Sequence, residues 1–177
     1  MNASNAASAK ASRIALMGFD VDGVLTDGTL YYSARGDEMK GFSTRDGHGI
    51  RMLADAGVQI AIITGRQSEI VTQRAKNLGI TLVLQGIDDK RAAMSQLLAQ
   101  LGLDFEQAGY MGDDVVDLPL LRACGFSATV ADAHSQLLDR VDHVCLHNGG
   151  HGAVREVCEL VLAAQGKLDS ALAKYLA

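Results

Sequence analysis

The sequence is poor in the residues that would indicate a disulfide-rich, collagen-like or base-stacking protein. Its 177 residues include no tryptophan, one proline and three cysteines, and aromatic side chains make up 5% of the chain. Cys124, Cys145 and Cys158 are odd in number and lack CxxC spacing, which favours reduced thiols over a disulfide framework or a zinc site. The shortage of aromatic rings also disfavours a stacking platform for single-stranded nucleic acid.

Positive charge is in deficit, and long apolar runs are absent. Sixteen basic against 21 acidic residues give a formal net charge of −5, so no global positive field attracts nucleic acid or acidic lipid. No apolar run approaches the ~20 residues of a membrane span. Residues 1–12, MNASNAASAKAS, lack the apolar segment of a signal peptide and predict a disordered tail. Together these features predict a cytoplasmic protein with no nucleic-acid or membrane partner.

Hydrophobic residues make up 48% of the chain, which is enough for a sizeable core in one domain. Short apolar runs alternate with segments of helical period, as in a parallel sheet covered on both faces. We therefore predict an α/β fold with a doubly wound, Rossmann-like parallel sheet in a single domain over 13–165. The predicted strands are 14–19, 59–63, 81–84, 107–111, 127–130 and 143–146, and the predicted helices are 46–56, 68–78, 89–101, 115–124 and 153–165.

Two segments depart from this alternation. Residues 29–42, TLYYSARGDEMKGF, have strand-like ends around a polar turn with a glycine, which predicts a small β-hairpin. An irregular exposed loop is the alternative, because the turn lacks a strong two-residue signal. Residues 166–177 predict either a second C-terminal helix or a flexible tail.

Two carboxylates follow the first predicted strand. Asp20 and Asp22 are two positions apart, so an extended backbone directs both to one side, at the sheet edge where α/β folds bind ligands. Gly23 allows a tight turn beside them. Adjacent carboxylates repel each other, so the pair predicts a hard metal ion or a carboxyl group that keeps its proton. The alternative is a loop motif that caps a helix.

A second acidic group, GDDVVD, follows the fourth predicted strand. Asp113 could complete, with Asp20 and the region of Asp22, the oxygen ligands of an octahedral Mg²⁺. Asp114 and Asp117 have a structural alternative, as the N-cap and a first-turn acid of the next helix.

Two further signals lie between these acidic groups. The turn Thr64-Gly65-Arg66 follows the second predicted strand, where a hydroxyl and backbone N–H groups can hold phosphate oxygens. Lys90 stands at the head of a predicted helix, where a lysine meets the unfavourable end of the helix dipole. That mismatch predicts a nearby anionic partner, and a solvated lysine is the alternative.

In this order, the DxDG, T-G-R, lysine and GDDxxD signals resemble the haloacid dehalogenase (HAD) superfamily of phosphotransferases. The resemblance implies that Asp20 is a nucleophile that forms an aspartyl-phosphate and that Asp22 is the general acid and base. It also implies that Thr64 and Lys90 hold the phosphoryl group. Asp113 would join Asp20 and the backbone carbonyl of Asp22 on Mg²⁺.

The chain lacks room for the cap domain that many HAD enzymes insert. The intervals between Asp22, Thr64 and Lys90 hold only the predicted hairpin and single helices. The segments VLTDG, FSTRDG and GGHGAVRE are similar to those of the capless, tetrameric 3-deoxy-D-manno-octulosonate 8-phosphate phosphatases. This similarity implies Mg²⁺-dependent hydrolysis of that sugar acid phosphate for lipopolysaccharide synthesis, in a homotetramer whose hairpins close neighbouring sites.

The same similarity implies a set of substrate contacts. Arg66 and Arg74 are cations suited to the carboxylate of a sugar acid, and the segment that follows the hairpin lies where it could touch the sugar. The full implied set is Ser43, Thr44, Arg45, Asp46, Gly47, Arg51, Gly65, Arg66 and Arg74, with Asp114 and Asp117 in support.

Three alternatives stay open from the sequence. The first is a phosphatase for a related nonulosonate 9-phosphate. The second is a receiver-like phosphorylation switch, which is disfavoured because its phosphoacceptor lies on a middle strand and its lysine on the last. The third is a catalytically idle oligomerisation module, which the intact motif set disfavours.

Overall fold

Six parallel strands form the central sheet of the computed structural model, which describes residues 3–176. Their order across the sheet is β5-β4-β1-β6-β7-β8, and a separate two-stranded sheet pairs β2 with β3. The predicted doubly wound α/β fold is therefore confirmed. The strands are β1 Leu16–Phe19, β2 Tyr31–Tyr32, β3 Glu38–Met39, β4 Gln59–Ile63, β5 Leu82–Leu84, β6 Ala108–Met111, β7 Phe126–Thr129 and β8 His143–Val144.

Helices cover both faces of this sheet. The residues of β4 alternate between two cores: Ile60 and Ile62 pack beneath α2 and α6, whereas Ala61 and Ile63 pack beneath α4. Because both faces are buried, the central strands β1 and β6 are continuously apolar rather than alternating with polar residues. The helices are α1 Ala3–Ala11, α2 Thr44–Asp55, α3 Glu69–Leu78, α4 Lys90–Leu101, α5 Leu118–Leu121, α6 Ala153–Ala164 and α7 Leu168–Leu176, with 3₁₀ turns at Phe105–Gln107 and Val115–Asp117.

The chain order of the strands creates one reversal point in the sheet. From β1 the chain adds β4 and β5 on one side, and it then returns to build β6, β7 and β8 on the other. In open α/β sheets, ligands bind outside the carboxyl ends of the strands at such a reversal. The ends of β1 and β6 are thus where the fold itself favours a site.

The predicted hairpin is confirmed. Strands β2 and β3 are antiparallel, with Tyr31 opposite Met39 and Tyr32 opposite Glu38. Since directly opposed residues share a face, Tyr31 and Met39 lie on one face of the hairpin and Tyr32 and Glu38 on the other. The hairpin leads directly into α2, as expected for a fold without a cap domain.

The prediction of a disordered tail over 1–12 is wrong for its described part, because residues 3–11 form helix α1. Ala7 and Ala11 are buried in the main core, where α1 packs on α6 and β7. Lys10 Nζ also donates to Asp142 Oδ1 at 2.5 Å. Alanine has the highest helix propensity, and its small side chain permits close helix packing, so a run that resembled a solvated tail docks instead. Residues 1 and 2 lie outside the described part.

At the other end of the chain, the helical alternative for 166–177 is confirmed by α7, with Ala177 outside the described residues. Cys124, Cys145 and Cys158 are free and buried, in agreement with the sequence. Within residues 3–176, no helix has the length and hydrophobicity needed to cross a membrane.

We expect Ala11→Leu to lower the free energy of unfolding by about 1–3 kcal/mol, because a larger side chain overpacks the contact of α1 with α6. The control is Ala9→Leu, which lies on the exposed side of the same helix and should change stability by less than about 0.5 kcal/mol. Urea denaturation measures both. Equal stabilities of the two variants would mean that α1 does not pack on the domain in solution.

Candidate active site

Asp20 lies immediately beyond β1, at the reversal point of the sheet. Its backbone N–H donates to the carbonyl of Met111 at the end of β6, at 3.0 Å. Its carboxylate accepts from the N–H of Val21 at 2.7 Å and from Lys90 Nζ at 2.7 Å. The side chain is nearly buried but opens onto the cavity described below. Asp20 is therefore a fixed carboxylate at the carboxyl edge, as predicted.

The turn after Asp20 depends on close backbone approach. Gly23 has a φ of 84°, and a Cβ there would lie 2.1 Å from Asp113 Oδ2. A Cβ on Gly149 would lie 1.9 Å from the carbonyl oxygen of Gly23. Only glycine fits these two positions without a shift of the backbone or of Asp113. The loop before α6 thus supports the turn that carries Asp20 and Asp22.

Lys90 connects the two acidic groups that the sequence singled out. Its Nζ donates to Asp20 Oδ2 at 2.7 Å and to Asp117 Oδ1 at 2.6 Å. Burial alone would lower the pKa of Lys90, but the carboxylates of Asp20 and Asp117 outweigh burial and raise it. Lys90 therefore stays protonated. The anionic partner that its place at the start of α4 predicted is this pair of carboxylates.

Asp117 is a fully buried junction of hydrogen bonds. Besides Lys90, its Oδ1 accepts from the hydroxyl of Tyr110 at 3.1 Å. Its Oδ2 accepts from the backbone N–H groups of Asp113 at 3.0 Å and Asp114 at 3.2 Å. Both oxygens are occupied by protein donors, so Asp117 positions Lys90 and caps the turn.

Three carboxylates have oxygen atoms within 4.8 Å of one another: Asp20, Asp113 and Asp117. Burial, followed by Asp117, raises the pKa of Asp20 to about 6. Burial, followed by Asp20 and Asp117, raises the pKa of Asp113 to about 7. Each oxygen of Asp117 already accepts from two protein donors, whereas each oxygen of Asp20 accepts from one, so the oxygens of Asp20 and Asp113 are the ones that a cation can reach. This charge-crowded set of hard oxygen donors fits Mg²⁺.

The predicted phosphate-holding residues meet Asp20 and Asp22 in one cavity of about 270 Å³. Thr64 is buried at the end of β4, next to Asp20 and Lys90, and Arg66 stands at the mouth. An apolar wall is formed by side chains from two other loops. The lining residues are Asp20, Asp22, Thr64, Gly65, Arg66, Ile87, Asp88, Lys90 and Val116.

The hairpin lies against the mouth of this cavity. Lys40 forms an ion pair with Asp22, and the Lys40 side chain is only 1% exposed. Arg66 contacts the hydroxyl of Tyr32, Glu38 Oε1 at 3.4 Å and Asp22 Oδ2 at 3.6 Å. Asp22 is thus held by two cations at the cavity edge, away from the three crowded carboxylates.

Comparison with known proteins agrees with this geometry. Residues 83–157 match the haloacid dehalogenase-like hydrolase family. The 3-deoxy-D-manno-octulosonate 8-phosphate phosphatase KdsC of Escherichia coli K12 is 49% identical over 163 residues, which are 92% of this chain and 87% of that protein. The chain belongs to the 3-deoxy-D-manno-octulosonate 8-phosphate phosphatase family. It is therefore a HAD-superfamily phosphoric monoester hydrolase.

Solved structures of this phosphatase family have the same fold. The enzyme from Moraxella catarrhalis, in complex with magnesium ion, phosphate ion and KDO, has a TM-score of 0.95 at 43% identity, covering 97% of this chain and 98% of that one. The enzyme from Yersinia pestis has a TM-score of 0.92 at 46% identity, covering 93% and 89%.

Part of the substrate set implied by this phosphatase family lies away from the cavity in the single chain. Arg74 Nη2 donates to the carbonyl of Ser43 at 3.0 Å, and Arg51 contacts the carbonyl of Asn77. Gly47 is buried, and a Cβ there would lie 2.3 Å from Arg74 Nη2. Ser43, Thr44, Arg45, Gly47, Arg51 and Arg74 therefore cluster on α2 and α3, and their contact with substrate stays a prediction.

The expectation that Asp46 contacts substrate is corrected by the structure. The carboxylate is buried and accepts from the N–H of Arg155 at 2.8 Å and of Gly152 at 3.3 Å, at the start of α6. A carboxylate is favourable there because the first N–H groups of a helix have no internal partners. Asp46 thus joins α2 to α6.

Other residues that contact this site were not identified from the sequence. A tyrosine within an apolar strand was a usable signal for Tyr110, because a buried hydroxyl needs a polar partner. No sequence feature predicted that the Lys40 side chain points inward, since a lysine on a hairpin is usually solvated. The residues in contact with the site that the sequence did not identify are Glu38, Lys40 and Tyr110.

We expect Asp117→Asn to lower the free energy of unfolding by about 3 kcal/mol or more, because it removes one of the two anionic partners of buried Lys90. The matched control is Asp114→Asn, an exposed N-cap at which asparagine caps as well as aspartate. Urea denaturation of the metal-free protein should show a change below about 0.5 kcal/mol for the control. Similar effects of both variants would contradict the role of Asp117 as the buried junction.

Proposed function

We propose that this chain hydrolyses 3-deoxy-D-manno-octulosonate 8-phosphate to 3-deoxy-D-manno-octulosonate and phosphate, with Mg²⁺, in lipopolysaccharide biosynthesis. The observation that carries the proposal is the meeting of Asp20, Asp22, Thr64 and Lys90 in one cavity with Asp113 beside it. The identity of about half the residues with KdsC phosphatases supports the choice of substrate.

Asp20 is the nucleophile of the proposed reaction. Lys90 and the Val21 N–H hold its carboxylate in one orientation, which positions an oxygen for attack on phosphorus. The bond to Asp20 forms as the bond to the sugar oxygen breaks. Asp22, released from its ion pairs with Lys40 and Arg66 and protonated from solvent when substrate binds, gives that proton to the departing oxygen. Asp22 then takes a proton from water, which attacks phosphorus and releases phosphate and the Asp20 carboxylate.

Lys90 offsets the negative charge that would otherwise separate Asp20 from the phosphoryl group. Its second partner, Asp117, keeps the ammonium group in place through the reaction because both are buried. Thr64 and the Gly65 N–H can hold phosphate oxygens at the end of β4. Asp20, Asp113 and the carbonyl of Asp22 would hold Mg²⁺, which neutralises charge on the transferring group.

Arg66 is suited to the carboxylate of the sugar acid. It stands at the cavity mouth with its side chain 43% exposed, so it can turn from Glu38 and Tyr32 toward an anion. A bidentate guanidinium–carboxylate contact would give both affinity and orientation. The remaining predicted residues on α2 and α3 would contact the substrate only if substrate binding or a neighbouring subunit brought the two together.

Asp20→Asn should lower phosphatase activity by at least ~10³-fold, because an amide cannot attack phosphorus. Turnover of p-nitrophenyl phosphate with Mg²⁺ and with EDTA is the measurement, and EDTA should abolish it. The control is Asp55→Asn, an exposed position on α2 that should keep full activity. Full activity of the Asp20 variant, or of the wild type in EDTA, would refute the proposed chemistry.

A panel of sugar phosphates distinguishes the substrate from its nearest alternative. We expect the highest kcat/KM for 3-deoxy-D-manno-octulosonate 8-phosphate, with a nonulosonate 9-phosphate as the comparison. A higher value for the nonulosonate would move the assignment to the related phosphatase. Mg²⁺-dependent turnover of either compound excludes a receiver-like switch or an idle module.

We further infer a homotetramer in which each hairpin contributes to two sites. One face, with Tyr32 and Glu38, contacts Arg66 of its own site. The opposite face leaves Tyr31 and Met39 45% and 63% exposed. Exposed apolar side chains on a two-stranded ribbon favour burial against another surface. A second copy of this chain would supply that surface and would bury its own hairpin in the same way. A repeated head-to-tail contact closes a ring.

Met39→Glu should convert the tetramer to smaller species in sedimentation velocity and lower kcat/KM for the sugar acid by ~10-fold or more, because it buries a charge in the interface. A point change is preferable to deletion of the hairpin, which would also remove the contact of Lys40 with Asp22. Arg35→Glu, at the exposed hairpin tip, is the control. A fully active wild-type monomer, or an unchanged Met39 variant, would exclude hairpin exchange.

A further inference from the structure

A second group of metal-binding side chains lies outside the catalytic cavity. The segment HVCLH, residues 143–147, begins with β8 at the edge of the sheet. Val144 is 37% exposed and Leu146 is 87% exposed, whereas Cys145 between them is buried. Alternation along β8 therefore directs His143 and Cys145 to the inner side, opposite Val144. His147 follows in a bend of the chain, where its imidazole reaches Glu156.

The side chains on that inner side converge on Glu156 in the first turn of α6. His143 Nε2 lies 3.0 Å from Glu156 Oε1, and His147 Nδ1 lies 2.7 Å from Glu156 Oε2. Donor atoms of His143, Cys145 and Glu156 all lie within 4.8 Å of one another. One imidazole, a thiol and a carboxylate thus face one small volume, and the imidazole of His147 lies beside it on the other oxygen of Glu156.

We propose that His143, Cys145, His147 and Glu156 form a structural binding site for a divalent transition metal of the Zn²⁺ type. Four nitrogen, sulfur and oxygen donors match the tetrahedral preference of Zn²⁺, whereas Mg²⁺ and Ca²⁺ favour oxygen alone. The catalytic cavity offers the reverse set, with oxygen donors and no thiol or imidazole among its lining residues. The two sites therefore differ in donor chemistry, and a thiolate ligand distinguishes this one from the catalytic cavity.

The surroundings of Glu156 are suited to a ligand. The backbone N–H of Leu146 donates to its carboxylate, at 3.1 Å to Oε1 and 3.0 Å to Oε2. Such a contact orients a ligating carboxylate without removing all of its lone pairs. Binding would replace the contacts of Glu156 with the two imidazoles, and the Cys145 proton would leave, because the thiolate is the ligand. The Cys145 thiol now lies 3.6 Å from the carbonyl of Ala153.

The consequence of this site lies in the loop that follows it. The site would fasten the edge of the sheet to α6 on both sides of the segment that holds Gly149 and Gly150. These glycines contact the backbone of Gly23 and Thr26, so the same segment supports the catalytic turn. Metal binding would stiffen that support and takes no part in the phosphoryl transfer. The lack of CxxC spacing disfavours a zinc site built from pairs of cysteines. It does not exclude a site formed by an HxCxH segment and a glutamate from a helix.

Cobalt and zinc titrations of the metal-free, full-length protein test this site. In the presence of excess Mg²⁺, Co²⁺ should give a thiolate-to-cobalt charge-transfer band that saturates at one thiolate-bound cobalt per chain and that Zn²⁺ then displaces, whatever further Co²⁺ the catalytic cavity takes up. Cys145→Ser should remove the band and weaken Zn²⁺ binding by ~100-fold or more. Cys124→Ser, a buried thiol of the other core, is the matched control and should keep both.

A second variant keeps the test decisive if the Cys145→Ser protein fails to fold. His147→Gln alters a half-exposed side chain and should weaken Zn²⁺ binding while leaving the circular dichroism spectrum unchanged. The proposal is overturned if Co²⁺ binds without a thiolate band, if no saturable Zn²⁺ binding occurs, or if the Cys145 and His147 variants bind Zn²⁺ like the wild type. In each of those cases Glu156 serves only as an ion-pair partner of the two histidines.

Discussion

The ammonium group of Lys90 lies between two buried carboxylates, at 2.7 Å from Asp20 and 2.6 Å from Asp117. Removal of one member of a buried ion group commonly costs 3–5 kcal/mol, because the remaining charge loses its partner. Each of the three charges is therefore tolerable only with the others in place. Because Asp20 ends β1, Lys90 begins α4 and Asp117 follows β6, this one interaction fixes three distant parts of the chain relative to one another.

The ion group of Lys90, Asp20 and Asp117 is connected to the surrounding loops by backbone contacts rather than by further charges. Asp117 accepts the N–H of Asp113, and Asp113 in turn packs so close to Gly23 that no Cβ fits between them. The carbonyl of Gly23 likewise packs so close to Gly149 that no Cβ fits on Gly149. The catalytic turn is thus shaped by a loop more than a hundred positions later in the chain. This explains why the glycine-rich segment before α6 accompanies the aspartate motifs in the sequence.

Local patterns predicted the parts of the molecule that local physics determines. Continuous apolar runs identified the strands because both sheet faces are buried, and strand ends identified Asp20, Thr64 and Asp113 because parallel strands share one carboxyl edge. The sequence could not assign Asp46, whose partner is the start of α6 at Arg155. A carboxylate beside a glycine has the same local signature whether it binds a ligand or a helix terminus. Such long-range partners lie beyond pattern analysis.

The charge balance of the cavity links its two ligands. Burial first, and the neighbouring carboxylates second, raise the pKa of Asp20 to about 6 and that of Asp113 to about 7, and Lys90 alone does not offset this. A phosphate dianion would add to the negative charge of these carboxylates, whereas a divalent cation at Asp20 and Asp113 would offset it and gain phosphate oxygens as ligands. Each therefore favours the binding of the other, and such coupling is reciprocal. The acidic crowding is thus the physical reason that a cation and a phosphate would bind this site together.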